Sequence, residues 1–323
     1  MPKVSIITTT YNHEKFIAQT IESVLSQTFT DWELLIGDDS PSDASWKIIA
    51  EYTKKYPEKI HAWHHSPNKG IVGNTNFLLE HISEESEFVA FLEGDDLYTP
   101  DNLEKKLEVF RKYREVQLVY SDLSFIDGQD TVILESFFHY RGVPFFQNEM
   151  ISVNDFILLP AGPIASWSTG MVRRTMIEKY PVVARWEDKR YSIADYDFYF
   201  QVATANQVYG IDEPLTQYRR HGGNLSGANG GTSGDLGRWI DLVFREGQIP
   251  ETVYKTKKSW LSITFAIFAL EHGQKKEAWK YFLDACKFHP FYKLHYKIGI
   301  LGFLVIPAFL GKKILRTLIR RGD

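Results

Sequence analysis

Two short acidic clusters, Asp38-Asp39 and Glu93-Gly94-Asp95-Asp96, each close a strand-like run, Glu33 to Gly37 and Phe88 to Leu92. Neighbouring carboxylates repel one another unless a cation or hydrogen-bond donors neutralise them. Hard divalent ions take oxygen ligands, usually one or two carboxylates plus substrate phosphates, so Asp95 and Asp96 are candidate ligands for Mn2+ or Mg2+. The plain alternative is a solvated turn, or a cap for the helix that follows Pro100. At the other cluster a carboxylate can accept the imide N–H of a uracil while Tyr11 stacks on the base, although Asp38-Asp39-Ser40-Pro41-Ser42-Asp43 is also ordinary turn chemistry. Asp195, at the head of a helical pattern, is either a general base or a helix cap. His221, after Tyr218-Arg219-Arg220, can ligate a metal or contact a phosphate, with an arginine offsetting negative charge.

The elements that must position these groups alternate. Val4 to Thr8 reads as a strand, followed by a loop and a helix through Ile17, Ile21, Val24 and Leu25. Glu33–Gly37, Ile60–His64 and Phe88–Leu92 read as further strands, and Ala44–Tyr56 and Asn74–Ile82 as helices. This α/β alternation predicts a Rossmann-like, mostly parallel sheet flanked by helices, which binds ligands beyond the carboxyl ends of its strands. Both acidic clusters sit at such ends and are expected to converge. Thr99 is expected to cap a helix opened by Pro100 and running to about Tyr113. Leu118–Ser124 and Leu215–Arg220 read as strands, Asp195–Ala205 as a helix, and Asp127 to Ile164 as irregular.

A glycine-rich stretch, 228–237, is expected to be a loop or linker between a catalytic domain, 1–227, and a helical C-terminal region, 238–323. Within 323 residues of 44% hydrophobic content there is room for one large core plus this appended unit. The formal charge of -4 gives no general attraction to nucleic acid. Cys286 is the single cysteine, so no intramolecular disulfide forms, and the N-terminal run lacks the features of a signal peptide; a cytoplasmic location is expected. Ile298 to Gly311 is uncharged but shorter than the ~20 residues of a membrane span. Lys312, Lys313, Arg316, Arg320 and Arg321 follow, so 298–323 is expected to lie on an anionic membrane surface, or else to be a bundle helix facing water.

Val4-Ser5-Ile6-Ile7-Thr8-Thr9-Thr10-Tyr11-Asn12, Ser23-Val24-Leu25-Ser26-Gln27-Thr28, Asp38-Asp39 and Glu93-Gly94-Asp95-Asp96 with Pro100 behind, in that order, resemble glycosyltransferase family 2 over residues 1 to about 226, including its spore-coat and other bacterial surface-polysaccharide members. The resemblance implies the GT-A fold and a metal-dependent, inverting transfer of a sugar from a UDP-sugar to an acceptor hydroxyl on a glycan, and the tail suggests that this acceptor is a lipid-linked glycan at the inner face of the cell membrane. It implies that Thr9, Tyr11 and Asp39 hold the base, with Asn12, Asn68, Gly70 and Asn76 beside the nucleotide. Glu93, Asp95 and Asp96 would face the ribose, diphosphate and metal, His221 would join the metal, and Arg220 would meet the leaving group. Asp195 would be the base, and Ser168-Thr169-Gly170-Met171 would face the acceptor, with Trp167 and Trp186 as sugar-stacking candidates. The chain departs from the common pattern in having Glu93 for aspartate, Thr9 for proline and Ala194 for glutamate. A homodimer is left open. The competing readings are a non-catalytic sugar-nucleotide binder and a nucleotidyltransferase; the latter usually carries a glycine-rich basic loop, and Thr8 to His13 has none.

Overall fold

Strand β1 (Lys3–Thr10) buries Val4, Ile6 and Ile7, apolar on both faces as a central parallel strand requires. The computed structural model describes residues 3–140, 149–151, 166–185, 193–224 and 231–305. β1 pairs in parallel with β2 (Trp32–Asp38) and β4 (Ser86–Phe91), and β2 with β3 (Ile60–His64). Thr10 lies opposite Asp38, and Ile7 opposite Phe91, so the carboxyl ends of β2 and β4 flank the end of β1. Helices α1 (Ile17–Leu25), α2 (Asp43–Lys55), α3 (Gly70–Leu79) and α4 (Asn102–Lys112) connect these strands and the next. α1 turns Ile17, Thr20, Ile21 and Val24 inward, a stripe at helical spacing.

The other half of the sheet is mixed. Its order runs β3-β2-β1-β4-β9-β6-β10-β5. β9 (Gly170–Arg173) lies antiparallel between β4 and β6 (Val116–Ile126), while β6 runs parallel to β10 (Gln207–Arg219). β5 (Leu97–Tyr98) and β8 (Glu149–Ile151) pair antiparallel with β10, and β7 (Val132–Leu134) with β6. The parallel character expected from alternation therefore describes the β3-β2-β1-β4 half. β9 is four residues long and is specified by partners far away in sequence, so it leaves no local pattern.

Several boundaries differ from expectation. α4 begins at Asn102 with Asp101 at its N-cap, and the Thr99 hydroxyl donates to the Asp101 carboxylate at 2.8 Å instead of capping. β10 starts at Gln207, eight residues earlier than Leu215, because the register shifts around Pro214, which has no N–H for the ladder, hide its continuity. The expected linker 228–237 is helical from Gly231, the start of a helix to Arg245; Leu236, Trp239, Ile240 and Val243 recur at helical spacing and are buried, which outweighs the ~1 kcal/mol that each interior glycine costs. Residues 228–230 of that stretch lie outside the described residues.

The chain divides into two compact units, Met1–Gly231 and Thr232–Asp323. The second contains helices Glu251–Glu271, Lys275–Phe288 and Leu294–Val305, which share an apolar cluster of Ile263, Ala266, Ala269, Leu270, Ala278, Ala285 and Ile300. Among the described residues no helix is long and apolar enough to cross a membrane. Trp186 and residues 306–323 of the expected tail 298–323 lie outside the described residues.

Gly37, in β2, accepts a hydrogen bond from Asn74 Nδ2 at 2.8 Å, and a Cβ added there would meet Asn74 Oδ1 at 1.8 Å. Gly37→Ala is expected to destabilise the first unit by roughly 1–3 kcal/mol through overpacking, read as a lower urea midpoint in circular dichroism.

Candidate active site

Both acidic turns hang from β1. Asp39 N–H donates to Thr10 O at 3.0 Å and Gly94 N–H to Thr9 O at 3.0 Å, so the two clusters meet on successive carbonyls of one strand. A Cβ on Gly94 would lie 2.6 Å from Thr10 Cβ, so only glycine lets the turn pack this closely. The turn closes with Asp96 N–H donating to Glu93 O at 3.1 Å, and it sends its last two carboxylates to different partners.

Asp96 is fully buried. It accepts from Ser168 Oγ at 2.6 Å and from Arg219 N–H at 2.9 Å. The expected metal role of Asp96 is therefore corrected: both of its oxygens are engaged inside the protein, and it braces the turn. Asp95 instead accepts on Oδ2 from His221 Nε2 at 2.9 Å and Asn224 Nδ2 at 3.2 Å, with His13 Nε2 at 3.8 Å. Gly223 N–H lies 3.1 Å from His221 Nδ1, which orients the ring with Nε2 toward Asp95. His13, Asp95 and His221 each offer one ligand atom, all within 4.8 Å of one another. This donor set fits a divalent ion, and its third member, His13, was missed by sequence reasoning. The available signal was its place just past the carboxyl end of β1.

The electrostatics tie the distant acids together. Burial, followed by the charges of Asp96, Asp95 and Asp195, pushes the Glu93 carboxyl well above the usual range, partly offset by Ser166 Oγ at 2.9 Å. Burial and then the Asp95 charge do the same to Asp96. Burial alone would raise Asp95 too, but the His221 hydrogen bond and the nearby His13 outweigh it and hold Asp95 below the ordinary range. His13 is lowered, chiefly by burial, which favours its neutral ring. Asp195, in the first turn of helix Ala194–Ala205, is pushed by burial to about 6 and accepts from its neighbour Tyr196 N–H at 2.7 Å. It is not the cap, since Ile193 holds that position. Asp197, two residues on, is buried in a two-bond pair with Arg185 at 2.8 and 3.2 Å.

Arg219 is the buried cation of the site. Its Nε–H donates to Asp95 O at 2.8 Å and its other nitrogens to Asp127 O at 3.2 Å, Gln19 Oε1 at 3.0 Å and Asp130, while the guanidinium lies 4.8 Å from the Phe16 ring centre. Arg220, the arginine expected to meet the leaving group, is the next residue. Successive residues along an extended strand point to opposite faces, so Arg219 enters the core while Arg220 is exposed, its guanidinium 4.9 Å over Phe125.

At the other end of the site Asp39 Oδ1 accepts from Lys69 N–H at 3.2 Å, and its carbonyl accepts from Asn68 Nδ2 at 2.9 Å. Asn68 Oδ1 accepts in turn from Gly70 N–H at 2.7 Å, with Gly70 at φ 71 opening α3. Burial raises the Asp39 carboxyl. Tyr11 is half exposed and free to stack, and Asn12, at φ 58, is held through its N–H to Ser40 Oγ at 2.8 Å. Thr9, Tyr11, Asn12, Asp39, Asn68 and Gly70 are thus gathered around the ends of β1 and β2. Asn76 is not: its Nδ2 donates to Val182 O at 2.8 Å, while Asn74 makes the contact to β2. Ser168 and Thr169 are fully buried: Ser168 Oγ braces Glu93 N–H and the Asp96 carboxylate, Thr169 Oγ1 donates to Ser166 O at 2.9 Å, and Trp167 is core, 4.6 Å from the Phe91 ring.

A parallel sheet half with a nucleotide-type group at β1 and β2, and a carboxylate–imidazole centre after β4, is the architecture of the GT-A transferases. The family model of Glycosyl transferase family 2 matches residues 5–181, more than half of the chain, and the chain belongs to that family. It is accordingly a glycosyltransferase, as the sequence resemblance implies. It is 28% identical over 265 residues to TuaG of Bacillus subtilis, named as a teichuronic acid biosynthesis glycosyltransferase, covering 82% of this chain and 95% of TuaG. It is 33% identical over 129 residues to WfgD of Escherichia coli, named as a UDP-Glc:alpha-D-GlcNAc-diphosphoundecaprenol beta-1,3-glucosyltransferase, covering 40% of this chain and 49% of WfgD. The crystal structure of S. aureus TarS 1-349 in complex with UDP-GlcNAc shares the fold at a TM-score of 0.59 and 16% identity, covering 99% of this chain and 92% of that one.

The two adjacent arginines separate structure from surface. Arg219→Met, which strands the groups it bonds, is expected to cost roughly 3 kcal/mol of stability, and Arg220→Met under about 0.5 kcal/mol, both by urea denaturation.

Proposed function

We propose that this chain is an inverting, metal-dependent transferase that moves a sugar from a UDP-sugar to an acceptor hydroxyl in the synthesis of a bacterial surface polysaccharide, on a lipid-linked glycan. The observation that carries the reading is the hanging of both acidic turns from Thr9 and Thr10, which sets the turn of Asp39 beside that of Asp95. Asp39 would accept the N–H of a uracil and Tyr11 would stack on it. Asp95 and His221 would hold Mn2+ or Mg2+, which when bound neutralises charge on a departing diphosphate. As the acceptor oxygen bonds to the anomeric carbon and the bond to the diphosphate oxygen breaks, the hydroxyl proton passes to Asp195. Burial, and then the like charge of Asp96, Asp95 and Asp195, favours the protonated form of Glu93, which would act as a donor toward the sugar.

The names of the relatives support the donor and acceptor classes: WfgD is named for UDP-Glc and a diphosphoundecaprenol acceptor, and TuaG for teichuronic acid. The helical unit exposes Phe291, Leu294, Ile298 and Leu301 just ahead of the basic tail, which supports a membrane-facing role for the region 238–323 and a place at the inner face of the membrane.

UDP release from a panel of UDP-sugars, with and without Mn2+, tests the reading; UDP binding with no turnover on any acceptor would favour the non-catalytic binder. Asp195→Asn is expected to lower transfer by roughly 10²–10⁴-fold while UDP binding persists. The base works ionised and its pKa is raised to about 6, so kcat/KM should fall tenfold per pH unit below about 6, in a rate profile measured from pH 4.5 to 8. Phe291→Glu with Ile298→Glu should release the full chain from sedimenting vesicles that contain anionic lipid; undiminished co-sedimentation would end the membrane assignment.

A further inference from the structure

The geometry points to His13 as a third ligand of the metal centre, giving two imidazoles and one carboxylate, and with them a preference for first-row transition ions such as Mn2+ and Co2+ over Mg2+. This rests on the proposal above that Asp95 and His221 hold a cation.

Three observations carry it. The candidate ligand atoms of His13, Asp95 and His221 lie within 4.8 Å of one another, close to the roughly 3–4 Å that separates neighbouring ligands on bonds near 2.1 Å. His13 Nε2 stands 3.8 Å from Asp95 Oδ2, too far for a hydrogen bond, and its Nδ1 is buried without a hydrogen-bond partner, so no hydrogen bond accounts for the ring's position. The ring is nonetheless held: it packs edge-on to His221 with centroids 5.9 Å apart, and the His13 carbonyl accepts from the N–H groups of Phe16 and Ile17, both at 2.9 Å, at the start of α1.

Mg2+ demands oxygen ligands in near-octahedral geometry and keeps several waters, whereas imidazole suits transition ions. A centre of Asp95 alone would discriminate little between Mg2+ and Mn2+; each added imidazole widens the gap. Sequence alone suggested Asp95 and Asp96 with His221, two carboxylates and one imidazole, a set closer to the oxygen-rich sites that suit Mg2+. Withdrawal of Asp96 into the core is what leaves the imidazoles to complete the set.

The test uses the full chain with UDP present. Free Mn2+ is followed by electron paramagnetic resonance during titration of the wild type, His13→Ala and His13→Gln, with Mg2+ as competitor, and Co2+ binding is followed by its visible absorption. The wild type should hold Mn2+ and Co2+ more tightly than Mg2+. Both variants should weaken Mn2+ roughly tenfold or more, alter the Co2+ spectrum and leave Mg2+ within about twofold. Thermal midpoints in EDTA matching the wild type would show that the loss is not misfolding. Unchanged Mn2+ affinity and Co2+ spectrum in the variants would remove His13 from the ligand set while the metal centre stands. A wild type that binds no Mn2+ would overturn the metal part of the proposed function itself.

Discussion

Crowding of carboxylates with little water to solvate them is the constraint on which this active site depends. Glu93, Asp95 and Asp96 follow one another in a single turn, and Asp195 adds its charge to their field. An ionised group out of water is tolerated only when paired or hydrogen-bonded, and otherwise takes up a proton. The protein uses both answers. Asp96 is surrounded by Ser168 and the Arg219 N–H, and Asp95 by His221 and Asn224. Burial leaves Glu93, Asp96 and Asp195 with raised pKa values, Asp195 at about 6.

Arg219 shows how the same constraint shapes the scaffold. Its guanidinium spreads fixed donors over Asp95 O, Asp127 O, Asp130 and Gln19, and its backbone N–H reaches Asp96, so the end of β10, the acidic turn and α1 are held as one piece. Asn224 extends the clamp, bonding Asp95, the Arg219 carbonyl and the His221 N–H. A lysine, with one point charge, could not make these contacts together. The two carboxylates of the turn are therefore held differently: Ser168 and the Arg219 N–H fix Asp96, while Asp95 is bonded to His221 and Asn224.

Resemblance to the family conveyed the site's composition more securely than its wiring. The motif that contains Asp95 and Asp96 treats them as a pair, yet the turn gives them opposite surroundings. Ser168 and Thr169, expected beside the acceptor, are fully buried, and Trp167 stacks on Phe91 in the core. These are differences of side-chain direction, and direction depends on what packs behind each residue rather than on its type.

The sequence by itself determined the α/β alternation and the placement of both acidic clusters at strand ends, because hydrophobic periodicity and turn chemistry act between residues a few positions apart. Only the tertiary structure decided that Arg219 rather than Arg220 enters the core, that Asp96 turns inward, and that His13 joins Asp95 and His221. Those outcomes rest on contacts such as Arg219 to Gln19 and Asp96 to Ser168, which link segments distant in the chain. Such contacts exist only once the sheet has brought β4, β9 and β10 side by side, and no local pattern encodes which face of a turn will meet them.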